Sequence, residues 1–269
     1  MTVFDQTQRY RALFISDVHL GARACQAPLF LDFLRHHDAE TIFLVGDIVD
    51  FWRIKRGAHW PQDHNDVIQK LLRKARKGAR IVFIPGNHDE ALRGYCGAHF
   101  GSIEVMHRAI HETADGRRFL VIHGDQFDVV VRYAKWLAFL GDWAYALALW
   151  LNTRVNWMRR LMGLPYWSLS AYLKHRVKRA VNYIGEFETA LAAEARRQEA
   201  TGVVCGHIHH ATMRHVGDVL YVNCGDWVES CTAVGETHDG KFEIIEWADR
   251  TGHRTELRTK ITTELEAAA

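Results

Sequence analysis

What most constrains this chain is a recurrence: short runs of β-branched and aromatic residues each end in a cluster of Asp, Asn or His. Ala12–Ser16 leads into Asp17 and His19, and Thr41–Val45 into Asp47 and Asp50. Arg80–Ile84 leads into Asn87, His88 and Asp89, Phe119–Ile122 into His123 and Asp125, and Thr201–Cys205 into His207 and His209. With Val219–Asn223, these runs read as buried strands. Between them lie amphipathic stretches, Pro28–His37 and Asp66–Lys77, the second closing on a basic turn before Gly78. Alternation of the two patterns predicts an α/β fold with helices covering sheets. In such folds ligands gather at the carboxyl ends of the strands, where the polar clusters fall.

The totals set few further limits. At 269 residues and 48% hydrophobic, the chain can bury a full core and is not disordered. A formal net charge of +2 argues against nucleic acid as a partner of the molecule as a whole. The five cysteines, at positions 25, 96, 205, 224 and 231, lack CxxC spacing and predict neither a disulfide framework nor a zinc knuckle. The opening MTVFDQTQRYRALFISD has no basic head followed by an apolar run, so a cytoplasmic location is expected.

The chemistry lies in the clusters. Seventeen histidines, several beside carboxylates, make a metal centre the natural reading, because imidazole is the commonest protein metal ligand. Mixed oxygen and imidazole donors suit Mn, Fe, Zn or Co rather than Ca. In DxH (Asp17, His19) and HxH (His207, His209) the two-residue spacing would let both side chains of an extended strand end point one way. Asp47 can use both carboxylate oxygens and is the natural bridge between two ions. Asp50 and Asp125 are read either as cap or turn residues or as groups behind the ligands. His210 and His215 are expected at the surface, and Trp52 and Trp227 in a wall or the core.

DxH, GDxxD, GNHD, a lone His after a strand and GHxH, matched in this order, resemble the calcineurin-like metallophosphoesterases. The resemblance spans roughly residues 11–128 and 201–247. It implies a double β-sheet sandwich flanked by helices. It further implies Asp17, His19, Asp47 and His209 on one metal, Asp47, Asn87, His123 and His207 on the other, and attack of a bridging water or hydroxide on phosphorus. Two ions about 3.5–4 Å apart could clamp the attacking and leaving oxygens. His88 would donate a proton to the leaving oxygen or stabilise phosphoryl charge, with Asp89 orienting its ring.

From Val129 to Phe187 strand signals stop, and the sequence predicts a helical insertion. The core would then be 1–128 with 188–260, the insertion 129–187, and 261–269 a flexible tail. The apolar run Trp136–Leu151 is broken by Asp142 and falls short of the ~20 residues a bilayer span needs. GDIVDFW, HGDQFD, this insertion and NCGDWVES resemble the UDP-2,3-diacylglucosamine pyrophosphatases of lipid A synthesis and their relatives. That resemblance implies two Mn ions, cleavage of the diphosphate to UMP and 2,3-diacylglucosamine 1-phosphate, and peripheral attachment to the inner membrane. The best-characterised members of that group read GNRD where this chain reads GNHD, and a soluble nucleotide or other phosphoester is the alternative substrate. A non-catalytic, metal-stabilised binding protein is a third reading. The insertion carries Arg154, Arg159, Arg160, Lys174, Arg176, Lys178 and Arg179 among Trp157, Tyr166, Trp167 and Tyr172, a composition suited to an anionic lipid surface. Asp128, Ser168, Ser170, Lys174 and Lys178 are the candidate substrate contacts, positions 170, 174 and 178 sharing one face of a helix. The oligomeric state is left open.

Overall fold

The computed structural model describes residues 7–57, 59–127 and 184–250. The chain divides into two compact units, one of Met1–Asp125 with Ala192–Ala269 and one of Gln126–Leu191. The first unit holds both of the sheets. The expected insertion over 129–187 and the tail over 261–269 lie outside the described residues, apart from 184–187, which are helical.

Strands β1 (Gln8–Ile15), β2 (His37–Val45), β3 (Arg80–Ile84), β4 (His99–Phe100) and β5 (Ile103–Val105) form one sheet with β11 (Thr232–Glu236) and β12 (Phe242–Glu246), in the order β12-β11-β1-β2-β3-β5-β4. Its centre, β1-β2-β3-β5, is parallel, and its margins are antiparallel. A second sheet holds β6 (Ala109–Glu112), β7 (Arg118–Val121), β8 (Gly202–Cys205), β9 (Thr212–Val216) and β10 (Val219–Asn223), in the order β6-β7-β8-β10-β9. It too has a parallel centre, β7-β8-β10. Residues that alternate along a strand face opposite sides, and here each side finds a different partner. Ala12, Phe14, Phe43, Val45, Val82 and Ile84 pack against Phe119, Val121, Val204 and Val222 of the second sheet. Their neighbours Leu13, Ile15, Ile42, Leu44, Ile81 and Phe83 pack with Phe30, Phe33, Leu34, Val67 and Leu71 of the helices. The result is a double-sheet sandwich flanked by helices.

The helices α1 (Ala27–His36) and α3 (Gln62–Arg76) follow the predicted periodicity. Phe30, Phe33 and Leu34 of α1 are fully buried, each such side chain contributing about 1.5–3 kcal/mol. Pro28 sits in the first turn of α1, where no N–H is needed, and His37 leaves the helix already extended, so α1 runs into β2 without a loop. A shorter helix, α2 (Phe51–Arg56), follows the β2 loop. A further helix occupies 184–197. Both sheets therefore deliver parallel strands whose carboxyl ends carry the polar clusters.

Candidate metal centre

Five loops supply the site, those after β1, β2, β3, β7 and β8. They bring Asp17, His19 and His209 into one group, Asp47, His123 and His207 into a second, and His19, Asp47 and His88 into a third. Within each group the donor atoms lie within 4.8 Å of one another. His209 Nε2 is 3.2 Å from Asp17 Oδ1 and 3.4 Å from His19 Nε2. His123 Nε2 is 3.4 Å from Asp47 Oδ2. Asp47 is thus common to two groups, as is His19.

The backbone reason for this convergence differs from the one the spacing suggested. Asp17, His19, Asp47, His207 and His209 all have positive φ, between 52° and 73°. The DxH and HxH pairs are therefore not extended strand ends. They are left-handed turns, a conformation uncommon outside glycine and concentrated at functional sites. Hydrogen bonds hold the turns: Asp17 N–H to Gly46 O and His19 N–H to Asp47 O tie the first ligand loop to the second. His207 N–H donates to Asp17 Oδ2 at 2.9 Å, fastening the loop after β8 to the same carboxylate.

Several buried polar atoms here have no hydrogen-bond partner, among them Asp17 Oδ1, Asn87 Oδ1 and His123 Nε2. Buried polar atoms are rarely left unpaired, and such a cluster calls for an ion. His123 Nδ1 donates to Val45 O at 2.8 Å, which leaves the Nε2 lone pair for a ligand bond when the ring is neutral. The electrostatics agree. Burial would raise the Asp47 carboxyl, but His123 and further histidines hold it well below the usual range. Asp17 is lowered likewise, His209 and His123 outweighing its burial. Burial would lower His123, yet Asp47 and Asp17 push it up to about 10. The carboxylates demand a matching positive charge, met by imidazolium or by a divalent cation. Imidazole, carboxylate and amide oxygen together fit a first-row divalent metal.

Two glycines, not anticipated as functional, make room for this. A Cβ at Gly86 would lie 2.3 Å from Asp47 Oδ1 and 2.6 Å from His123 Nε2. One at Gly206 would lie 2.5 Å from Asp17 Oδ2. The signal was present: GN and GH each place glycine directly before a ligand, where backbone must approach side chains closely.

Asp89 plays another part than the one expected. Its carboxylate does not hold His88. Oδ1 accepts from Gly86 N–H at 2.6 Å and Asp47 N–H at 3.3 Å, and Oδ2 from Ile48 N–H at 2.8 Å and Val49 N–H at 3.3 Å. Fully buried, Asp89 staples the β3 loop to the β2 loop, because a carboxylate can accept from four donors and two adjacent turns leave that many unpaired. Asp50 touches His88 instead: its Oδ1 is 3.1 Å from His88 Nδ1, a close contact off the line of a hydrogen bond. Its Oδ2 is 3.3 Å from His19 Nδ1. Oδ1 also caps α2 by accepting from Arg53 N–H at 2.8 Å, so Asp50 is a cap residue that also contacts the His19 and His88 rings. Burial would raise Asp50, but His19, His88 and the cap bring it far down, so it remains an anion.

His88 is half-buried, its N–H donating to Asp47 Oδ1 at 2.8 Å and its Nε2 4.0 Å from Asp47 Oδ2. Trp52 is 40% exposed, its ring centroid 4.3 Å from that of His88, and so forms a wall of the site. Trp227 is core, packed on Phe30 and Phe33. Asp125 pairs with Arg93 Nη2 at 2.6 Å. His210 and His215 are exposed. Asp128, Ser168, Ser170, Lys174 and Lys178 lie outside the described residues. Among the described residues no helix is long and apolar enough to cross a membrane.

The sequence profile of the calcineurin-like phosphoesterase family matches residues 10–211. Among curated proteins, a UDP-2,3-diacylglucosamine hydrolase of Neisseria meningitidis serogroup B is 24% identical over 225 residues, 80% of this chain and 89% of that protein. One from Shewanella pealeana is 22% identical over 88% of this chain and 98% of its own length. One from Aliivibrio fischeri is 30% identical over 122 residues, 42% of this chain and about half (47%) of that relative. Among solved structures, wild-type Vps29 complexed with Zn+2 from Entamoeba histolytica is 15% identical, with a TM-score of 0.41, covering 88% of this chain and 98% of that one.

Proposed function

The chain belongs to the calcineurin-like phosphoesterases, and from that premise we propose that it cleaves the diphosphate of UDP-2,3-diacylglucosamine to UMP and 2,3-diacylglucosamine 1-phosphate. The observation that carries this substrate is the alignment, over 80% of the chain and 89% of the relative, with a protein named UDP-2,3-diacylglucosamine hydrolase. Asp17, His19, Asp47 and His209 would hold one divalent cation and Asp47, Asn87, His123 and His207 a second, Mn in our reading, with Fe, Zn or Co also compatible with the donors. When bound, two such cations supply Lewis acidity and an activated water for in-line attack on phosphorus.

The side chains do the rest. His88 stands beside the donors without being needed in either set. Asp50, kept anionic by His19 and His88, stands 3.1 Å from Nδ1, and Nε2 is left to face the reacting group and give a proton to the leaving oxygen. Trp52 closes one side of the imidazole and limits the poses open to the leaving group. Asp89 keeps the β2 and β3 loops in register, so Asp47, Asn87 and His88 move as one piece. We assign the basic aromatic segment over 129–187 to substrate and to the inner-membrane surface, with Asp128, Ser168, Ser170, Lys174 and Lys178 as substrate contacts.

A second reading, a phosphodiesterase or phosphatase for a soluble nucleotide, is favoured by one residue: His88 stands where the best-characterised members of the resembling group have Arg. Arg clamps two phosphoryl oxygens and never gives up its proton, whereas His can donate one. Mass spectrometry of UDP-2,3-diacylglucosamine incubated with the protein and Mn²⁺, beside UDP-glucosamine, separates the two. UMP from the acylated compound is expected. Turnover of bis-p-nitrophenyl phosphate without that UMP transfers the case to the second reading, and turnover of neither removes both.

A further inference from the structure

In the second sheet β7 and β8 end in donors, but β10 does not: no residue of the turn 223–227 belongs to the three donor groups. The turn nevertheless opens on Asn223, which is fully buried with both ends of its amide engaged. Oδ1 accepts from Gly225 N–H at 2.9 Å. Nδ2 donates to Gly206 O at 2.7 Å and to the Tyr221 hydroxyl oxygen at 3.1 Å. The amide has one orientation here, because a backbone N–H needs its oxygen and a carbonyl needs its N–H. The same turn reaches β1, where Ser16 Oγ donates to Gly225 O at 2.9 Å and Trp227 N–H to Asp17 O at 3.0 Å.

The Gly206 carbonyl belongs to the rigid peptide plane that carries the His207 N–H, and that N–H donates to Asp17 Oδ2 at 2.9 Å. One peptide is therefore held from both sides, by Asn223 at its oxygen and by Asp17 at its hydrogen. With Oδ2 taken, Asp17 keeps Oδ1, which is buried without a hydrogen bond, for the ion site. The peptide has reason to turn over. His207 has a φ of 73°, uncommon for a residue with a side chain. Rotating the preceding peptide by half a turn would return that angle to the ordinary negative range. Gly206 would allow the matching change on its own side, since glycine accepts most backbone angles. The turned peptide would aim its carbonyl at the Asp17 carboxylate and its N–H at Asn223 Nδ2, acceptor against acceptor and donor against donor. Asn223 thus opposes the one motion that would relax the His207 backbone.

We propose that Asn223 is a positioning residue: it locks the Gly206–His207 peptide against that rotation, and so keeps Asp17 Oδ1 free for an ion and His207 in its left-handed turn. The inference rests on Asp17 and His207 as metal ligands, and not on the identity of the phosphoester. Asn223 does for the loops after β8 and β10 what Asp89 does for those after β2 and β3. It gives a role to the Asn that ends the Val219–Asn223 run, the one such ending that contributes no donor.

Calorimetric titration of Mn²⁺ into the metal-stripped full chain tests it, run well below the thermal midpoint of each variant. Asn223→Ala, or the milder Asn223→Ser where the first does not fold, leaves the Gly206 carbonyl without its donor. Mn²⁺ binds the variant about tenfold or more weakly than the wild type, the weight of at least one buried hydrogen bond, and the visible absorption of the Co²⁺-loaded form changes. Thr232→Val is the control: it removes the bond from Thr232 Oγ1 to Cys224 O at 2.8 Å, which holds the same turn without touching Gly206 or Asp17. Its thermal midpoint falls, while its Mn²⁺ affinity and Co²⁺ spectrum stay those of the wild type. Unchanged Mn²⁺ affinity in the Asn223 variants overturns the proposal and keeps the ligand assignment. An equal loss in Thr232→Val, the mark of general loosening, overturns it too, as does failure of both Asn223 variants to fold. A wild type that binds neither Mn²⁺ nor Co²⁺ removes the assignment itself, and the proposal with it.

Discussion

The two ends of the parallel strands are built to opposite rules. At the carboxyl ends, Asp17, His19 and Asp47 sit in left-handed backbone, and Asp17 Oδ1, Asn87 Oδ1 and His123 Nε2 are buried without a hydrogen bond. Away from that end charged side chains find partners. Lys74, buried on α3, donates to His37 O and to Asp38 at the start of β2. Arg80, the first residue of β3, forks onto Glu104 with two bonds of 2.7 Å. Glu236, fully buried opposite Ala12, receives Arg11, His111 and the Ala114 N–H. Strain and unmet polarity persist only where the surrounding fold over-determines them. The satisfied end holds the unsatisfied one in place, and function should be separable from stability along the length of a strand.

The largest test of that division is Asp47→Asn. It removes the shared carboxylate, so turnover of bis-p-nitrophenyl phosphate should fall on the order of 10³-fold, with bound metal lost by elemental analysis. Next in size is His88→Ala, expected to lower kcat by ~10²-fold, as for a lost acid, while metal content stays near wild type. Asp50→Asn should lower kcat in the same direction but less. Metal lost with the His88 side chain would instead make it a ligand, a geometry its grouping with His19 and Asp47 permits.

Legibility in the sequence divides in the same way. The six predicted strands are strands, and the side chains that five loops bring together were all visible, because each falls just where an apolar run stops. Their backbone was not visible: two-residue spacing suggested extended chain, whereas Asp17, His19, His207 and His209 reach the site through positive φ, which no propensity of Asp or His announces strongly. Asp89 was misjudged because adjacency to His88 says nothing of direction, and its oxygens turn back to four backbone N–H groups. The strand β11 escaped notice because TAVGE lacks a β-branched run and ends in a charge, although all five residues are buried. Likewise β9, mostly exposed, has no apolar face to betray it.

The smallest expected effect lies at the satisfied end. Glu236 would be raised by burial, but His111, the Ala114 N–H and Arg11 together leave it lowered from its ordinary value of 4.5. A carboxyl whose folded value is depressed stabilises the fold fully above its unfolded value, and that stability disappears as pH falls through the folded one. Glu236→Gln keeps the shape and removes the charge, so at pH 7 it should cost about 1.5–3 kcal/mol in urea unfolding, the usual weight of hydrogen bonds to a charged group. The gap between wild type and variant should narrow once the pH drops below about 4.5 and close in stronger acid. Turnover at pH 7 should change little, since Glu236 contacts none of the donors. A constant gap across that range would show that the carboxylate is no better held in the fold than in the open chain, and a large loss of turnover would mean that the two ends are not separable after all.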